Sequence, residues 1–362
     1  MNICLYSPYV PKHFGGGEKY FFDVARILAE KHQVVIAVPD GYRADELTDW
    51  IKQYAEFLNR SLSGITFVPA PLHTGSSVDK IRWTRKFDIC YAVTDGSLFF
   101  SLAKKNILHL QIPFTQPKTH PVDRLKLANW SIKNANSQFT KSVVEKAWQT
   151  QIQYLHYPAI DDECFQPIKK KEKIILTVGR FFKQLHSKRQ DILVCAFEQL
   201  VQQHPKELNG WRLVCVGAAE DPTFVHSVKS LAKDLPIEFY HHLSRQELLE
   251  WYQKAALYWH AAGFEVNQAK HPEKVEHFGL STVEAMASGC IPLVVGKGGQ
   301  LEAVGAEFAE LQWQTIDECA RKTLAMITQP EKWKALQKKA QLQAKTFSAA
   351  RFRKTLDQMI GN

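Results

Sequence analysis

Short apolar runs and helix-period segments take turns along most of the chain. In the first half the runs Asn2–Tyr6, Val34–Val38, Ile65–Pro69, Phe87–Val93, Ile107–Ile112 and Tyr154–Tyr157 each predict a strand. Amphipathic stretches lie between them, such as Tyr20–Lys31, which sets Phe21, Val24, Ala25 and Leu28 on one helical face. The runs hold few alternating polar residues, the pattern of strands covered on both faces, as in a parallel sheet flanked by helices. The pattern then starts again with Ile174–Val178, Leu213–Val216, Ile237–Tyr240, Leu257–His260 and Pro292–Val295, separated by helical segments such as Gln190–Gln203 and Arg245–Ala256. Between the halves, Pro158–Lys173 carries two prolines and the run Lys169–Lys171 and reads as a linker. The expected fold class is α/β, with two Rossmann-like, doubly wound domains facing a central cleft. Ligands of such sheets bind beyond the carboxyl ends of the strands.

Composition narrows the class without naming a reaction. A chain of 362 residues suits two domains, and 45% hydrophobic with 23% charged residues is ordinary for a folded globular protein. The net charge of +9 fits either a mildly basic surface or attraction to anionic partners. Much of the excess lies in residues 330–362, where eight Lys/Arg face only Glu331 and Asp357. No zinc-finger, RRM or KH signature is present, so nucleic acid is not an expected partner. None of the seven cysteines forms a CxxC pair, and Cys4, Cys90, Cys195, Cys215 and Cys290 lie in apolar runs, which predicts a reduced, intracellular protein. The strand-like start does not have the form of a signal peptide, and no apolar run approaches the roughly 18–20 residues that span a bilayer. The expected location is cytoplasmic, with any contact to the inner face of the membrane peripheral.

Three segments carry chemistry. Gly15-Gly16-Gly17-Glu18 follows the first strand and opens the first helix, where backbone N–H groups can approach a phosphate or simply form a tight turn. Val178-Gly179-Arg180 ends the second half's first strand, with Lys188 near the next helix start; Arg and Lys so placed can clamp a diphosphate. Lys183 and Arg189 compete for the lysine's part, and solvated surface charge is the plain alternative. The third segment runs from Glu276-His277-Phe278-Gly279-Leu280 through Glu284-Ala285-Met286-Ala287-Ser288-Gly289-Cys290-Ile291-Pro292. A helix starting near Leu280 puts Glu284 one turn in and Glu276 in the loop before it. Carboxylates there can accept paired hydrogen bonds from vicinal hydroxyls.

The third segment resembles the Glu-x7-Glu motif of retaining glycosyltransferases of the large GT-B-fold family four, the group 1 type. Gly298-Gly299-Gln300-Leu301-Glu302 is similar to that family's following Gly-Gly-x-x-Glu, and Asn136-Ser137-Gln138-Phe139-Thr140 to its Asn-Ser-x-Phe-Thr. The likeness runs in family order from residue 15 to about 302. Tyr258-Trp259-His260-Ala261-Ala262-Gly263 with Glu276-His277 resembles a bacterial subgroup, and also the mannosyltransferases that extend lipid-linked oligosaccharides. The resemblance implies residues 1–165 as the acceptor-side domain, 166–345 as the nucleotide-sugar-binding domain, and a helix in 346–362 returning to the first domain. It implies that Gly15 and Gly16 meet the donor pyrophosphate or sugar, that Arg180 and Lys188 bind the diphosphate, and that Glu284 holds the ribose. Glu276 would contact the donor hexose, the Phe278-Gly279-Leu280 backbone would line the same pocket, and His109 would face the cleft from the first domain. Two departures from the pattern are the long interval between Arg180 and Lys188 and the polar stretch Phe264–Val275, which reads as a lid, an acceptor-recognition loop or a tolerated insertion.

The implied reaction moves a mannose- or glucose-like hexose from a nucleotide-diphosphate sugar to a glycan or lipid-linked acceptor, with retention. The chain contains no Asp-x-Asp, so no metal and no cofactor is expected, the cations serving the leaving diphosphate instead. A dehydrogenase would need the missing GxGxxG, and a two-carboxylate hydrolase would need both carboxylates flanking the scissile bond. A nucleotide-sugar epimerase of the same fold and a non-catalytic nucleotide-sugar-binding subunit stay open. Arg124, Lys126, Lys133, Lys141 and Lys146 are expected on two helices of the first domain, either as a face for anionic membrane or as ordinary solvated charge.

Overall fold

The structure, a computed structural model, describes all residues except 10–14, 40, 43, 59, 185, 186 and 362 and the side chains of 44, 57 and 58. The chain divides into two compact units, Met1–Ala159 with Ala350–Asn362, and Ile160–Ala349.

In the first unit β1 (Asn2–Tyr6), β2 (Gln33–Val38), β3 (Ile65–Pro69), β4 (Ile89–Val93), β5 (Lys105–Leu110), β6 (Ile132–Ala135) and β7 (Tyr154–Leu155) form one sheet. Its order is β3-β2-β1-β4-β5-β6-β7, and every neighbouring pair is parallel. In the second unit β8 (Glu172–Val178), β9 (Arg212–Val216), β10 (Ile237–Tyr240), β11 (Ala255–His260), β12 (Ile291–Val295) and β13 (Gln312–Trp313) form a second all-parallel sheet, in the order β10-β9-β8-β11-β12-β13. Central strands such as β4, β11 and β12 are buried along their whole length, which explains their near-continuous apolar runs. Each order reverses at one place, between β1 and β4 and between β8 and β11. Such a switch point opens a crevice at the carboxyl ends of the two strands.

Two strands, β6 and β13, were not foreseen. In β6 the polar Lys133 and Asn134 break the apolar run, yet both are buried. Asn134 Oδ1 accepts from His109 Nδ1 and from Tyr91 Oη (3.3 Å), with Tyr20 Oη, which donates to His156 Nδ1 (2.5 Å), beside it, so the interior of this sheet is built around a polar side chain. The division between the units falls after Ala159 because the residues beyond it are tied to the second unit. Asp161 and Glu163 pair with Arg245, and Ser288 Oγ donates to Cys164 O.

The helix Ala349–Ile360 supplies the remainder of the first unit. His156 Nε2 donates to Phe352 O (3.1 Å) while its ring stacks on Phe352 with centroids 4.0 Å apart, and Lys105 Nζ donates to Ile360 O (2.7 Å). Burial pushes the His156 imidazole down to about 3, so it serves as a neutral connector. Among the described residues, no helix is long and apolar enough to cross a membrane.

Candidate active site

The carboxyl ends of β8 and β11 bring Lys188 and Glu276 together, with Arg180 on the turn after β8 paired to Glu220. After β8 the chain passes through Gly179 and Arg180. A Cβ on Gly179 would lie 2.5 Å from Lys188 Cγ, so this glycine lets the lysine stem cross the strand end. Lys188 Nζ then donates to Glu276 Oε2. Of the competitors, Arg189 takes a left-handed conformation at the start of helix Gln190–Gln203, clasps Asp191 (3.1 Å) and covers the Phe264 ring; Lys183 is exposed. Arg180 Nη1 meets Glu220 Oε2 at 3.1 Å, leaving its guanidinium half-exposed beside the same turn.

Glu276 Oε2 has a second neighbour that the sequence did not single out. His260, the last residue of β11, places Nε2 3.0 Å from that oxygen. Its Nδ1 accepts the Ala262 N–H (3.3 Å), which leaves the proton on Nε2, facing the carboxylate. The approach is at ion-pair range but off the line of a well-aligned hydrogen bond. Burial alone would raise the Glu276 carboxyl, but Lys188 and His260 outweigh it and hold Glu276 well below the usual carboxylate range. Burial likewise pushes the His260 imidazole down against the pull of Glu276, keeping the ring neutral. Among the described residues, the hydrogen-bond and ion-pair contacts of the Glu276 carboxylate fall on Oε2, and Oε1 has no hydrogen-bond partner.

The loop carrying Glu276 is pinned from behind. Gly299 N donates to Glu276 O (2.8 Å), and Gly298 N donates to Gln268 Oε1 (2.9 Å). Gly279, at φ +102°, turns the chain into the helix Leu280–Ala287, and any side chain there would also strike Gln300 at 2.9 Å. Phe278 packs its ring on Phe347 (5.0 Å) and Leu280 is half-buried at the first helical position, so the backbone of 278–280 stands next to the Glu276 loop. The stretch Phe264–Val275 is fastened to the same turn: Lys297 Nζ donates to Gly263 O (3.2 Å) and Val266 O (2.8 Å), and Val275 is wholly buried.

Glu284 belongs to a different group. Its side chain is 6% exposed, with Oε1 2.8 Å from Arg245 Nη1 and Oε2 accepting from Tyr252 Oη (3.1 Å). Arg245 also meets Glu163 Oε1 (2.9 Å) and Asp161 Oδ2 (3.5 Å). Ser244 and Glu247 form a capping box that starts helix Arg245–Lys254 and so sets Arg245 in its first turn. A cation there opposes the helix dipole, and three carboxylates compensate it. Among the described residues no hydrogen bond or ion pair joins Glu276 to Glu284.

In the first unit Gly15 caps helix Gly16–Ala29, and Gly16 is exposed at its first position; the turn that leads into them from β1 lies partly in residues 10–14, outside the described residues. His109 is enclosed within the sheet rather than facing outward. Its ring stacks on Tyr20 (centroids 3.8 Å), Nδ1 bonds Asn134, and burial holds the imidazole well below its ordinary value. Ser137 accepts from Thr140 N (3.0 Å), so the Asn136–Thr140 segment acts here as a helix cap. The expected basic face is thinner than five residues. Lys133 is buried in β6, Arg124 Nη1 donates to Trp148 O (2.7 Å) and Gln149 O (3.2 Å) at a helix end, and Lys141 lies 3.9 Å from Glu145. No three His, Cys, Asp or Glu side chains converge as a metal site among the described residues.

The family described as glycosyl transferases group 1 matches residues 161–343, half of the chain and nearly all of the second unit. The chain belongs to that family. In sequence it is similar to the GDP-Man:Man(3)GlcNAc(2)-PP-Dol alpha-1,2-mannosyltransferase of Dictyostelium discoideum, 25% identical over 234 residues, covering 60% of this chain and 44% of that protein. The Xenopus tropicalis enzyme of the same name is 27% identical over 176 residues, covering 45% and 33%. The chain thus matches less than half the length of these curated relatives. In structure it is similar to Anabaena HepE, solved with UDP-glucose, at a TM-score of 0.69 and 15% identity with 99% of both chains covered. WaaG, a glycosyltransferase of lipopolysaccharide biosynthesis, gives a TM-score of 0.63 at 16% identity with 100% of both chains covered. The two parallel-sheet, Rossmann-like domains are those of the GT-B glycosyltransferases.

Proposed function

We propose that this group 1 glycosyltransferase moves a hexose from a nucleotide-diphosphate sugar to a glycan or lipid-linked acceptor, with retention and without a metal ion. The observation that carries the reading is the cluster of Lys188, Glu276 and His260 at the sheet's switch point, with Arg180 on the same turn. Charge on the departing diphosphate dominates the barrier, and fixed cations stabilise it at the moment it forms. Lys188 and Arg180 fill that part, and the unpartnered oxygen of Glu276 accepts from a hydroxyl of the transferred sugar. Glu284 would hold the ribose, shared with or released from Arg245. GDP-mannose is the first donor to test, because the sequence relatives carry it in their names, with UDP-glucose second.

Peripheral contact with an anionic membrane on the cytoplasmic face belongs to the same reading. The helix Pro121–Asn129 exposes Val122 and Leu125, the latter 62% accessible, next to Lys126. Apolar and cationic side chains on one short helix suit a lipid interface. Sedimentation with phosphatidylglycerol vesicles should show binding at low salt that high salt weakens.

The decisive experiment is in two steps. A thermal-shift panel of GDP-mannose, UDP-glucose and ADP-glucose in the presence of EDTA should select one donor by raising the melting temperature. That donor with a lipid-diphosphate-linked oligosaccharide should then release nucleoside diphosphate and give an α-linked product by NMR. Remodelling of the donor without acceptor would point to an epimerase instead. Unchanged turnover in Glu276→Ala would remove the site.

A further inference from the structure

We propose that His260 is a positioning residue, the donor that keeps Glu276 ionised and aimed when Lys188 turns to the donor's diphosphate. This rests on the transferase reading above, but the geometry that suggests it does not.

Lys188 and His260 both address Oε2 of Glu276. A carboxylate oxygen has two lone pairs and takes both donors in the unliganded protein, so if one leaves the other can stay. The redundancy matters once a diphosphate is present, because one ammonium then has two anionic claims on it. A carboxylate whose side chain is 14% exposed cannot give up its only donor and stay charged without a large cost. A second donor removes that conflict. His260 suits the task in three respects. It is 1% exposed, so it has no rotameric freedom to lose. Its tautomer is set by the Ala262 N–H on the opposite ring nitrogen. It is neutral, so it offers Glu276 a proton donor without competing as a cation for the diphosphate. The loose angle at 3.0 Å is the geometry expected of a contact that tightens only when Lys188 moves.

The other ionisable neighbours are already occupied. Tyr258, on the same strand, donates to Ser281 Oγ (2.9 Å), which in turn donates to Val178 O (3.2 Å), and burial holds its phenol above its ordinary value. Lys297 is spent on the carbonyls of Gly263 and Val266. Glu276 is therefore the group whose ionisation depends on His260.

The test uses two near-isosteres in the full chain. A glutamine amide nitrogen reaches roughly where Nε2 stands, whereas an asparagine nitrogen reaches only as far as Nδ1. With GDP-mannose as donor, His260→Asn should lower kcat by about 10-fold to 100-fold, the scale of a misplaced catalytic group, with KM changed by no more than about two-fold. The acid limb of its kcat–pH profile should move to higher pH. His260→Gln should recover most of the rate and the wild-type profile. Equal loss in both variants, or an unmoved acid limb, overturns the proposal. A second arm needs no donor. In the unliganded protein His260→Asn should cost more melting temperature in a Lys188→Met background than in wild type, since His260 is then the sole donor to Glu276. Additive losses would overturn the proposal even if transfer were observed, and non-additive losses would uphold it even if GDP-mannose were not the substrate.

Discussion

Replacing Arg245 by methionine removes the charge that holds three carboxylates while keeping most of the side chain's length. Arg245 is 11% exposed, and among its partners the side chains of Glu284 and Asp161 are less than one-tenth exposed, while Glu163 is about a quarter exposed. Glu163 can rehydrate in the variant and contributes little. Glu284 keeps only the Tyr252 hydroxyl, and Asp161 loses its cation. Breaking a buried pair from one side costs about 3–5 kcal/mol, and the wetter third partner places this case near the lower end, at about 3 kcal/mol. For a folding unit of this size each kcal/mol moves the midpoint by about 2–4 °C, so Arg245→Met should lower the second unit's melting temperature by about 6–12 °C. Differential scanning calorimetry of the full chain at neutral pH, at low and high salt, would measure it. The loss should be nearly independent of salt, because the charges are shielded from the ionic atmosphere. The double variant Arg245→Met with Glu284→Met should recover part of the loss, since no uncompensated Glu284 remains. A loss below about 1 kcal/mol, the size of an exposed pair, would refute the view that these carboxylates depend on Arg245.

Three further outcomes follow from the same structure. Lys188→Ala should destabilise the chain by roughly 2 kcal/mol at pH 7. The lowered Glu276 carboxyl contributes stability that is complete above its unfolded value and lost as pH falls through the folded one, so urea titrations should show the gap between variant and wild type closing under acid. Gly179→Ala should push the Lys188 stem off the strand end at an overpacking cost of about 1–3 kcal/mol, and should weaken nucleotide binding by isothermal titration. Asn134→Leu should destabilise the first unit by about 2–4 kcal/mol in calorimetry, because His109 and Tyr91 both lose an acceptor inside the sheet.

What could be read from the sequence and what could not divides along a physical line. Burial on both faces writes itself into a strand as a continuous apolar run, so β1 matches its predicted bounds and β9 and β12 match theirs to within one residue; β3, β10 and helix Gln190–Gln203 also match, although β3 and β10 are only partly buried. β6 escapes that rule because its interior is polar, and the same strand explains the misplacement of Lys133, whose charge suggested a solvated helix. Motif spacing placed Glu276 in the loop and Glu284 one turn into the helix, since eight residues across a loop-to-helix transition fix local geometry. It could not assign their partners. Lys188, Lys183 and Arg189 are equivalent on paper, and the choice among them depends on a left-handed backbone at Arg189 and on Asp191 two residues later. His260 shows the limit most clearly. A histidine closing a buried strand carries no mark distinguishing a satisfied core residue from a donor to a carboxylate sixteen positions away. Only the register of β11 against β8 and β12, which sets the strand end opposite the Glu276 loop, makes that distinction.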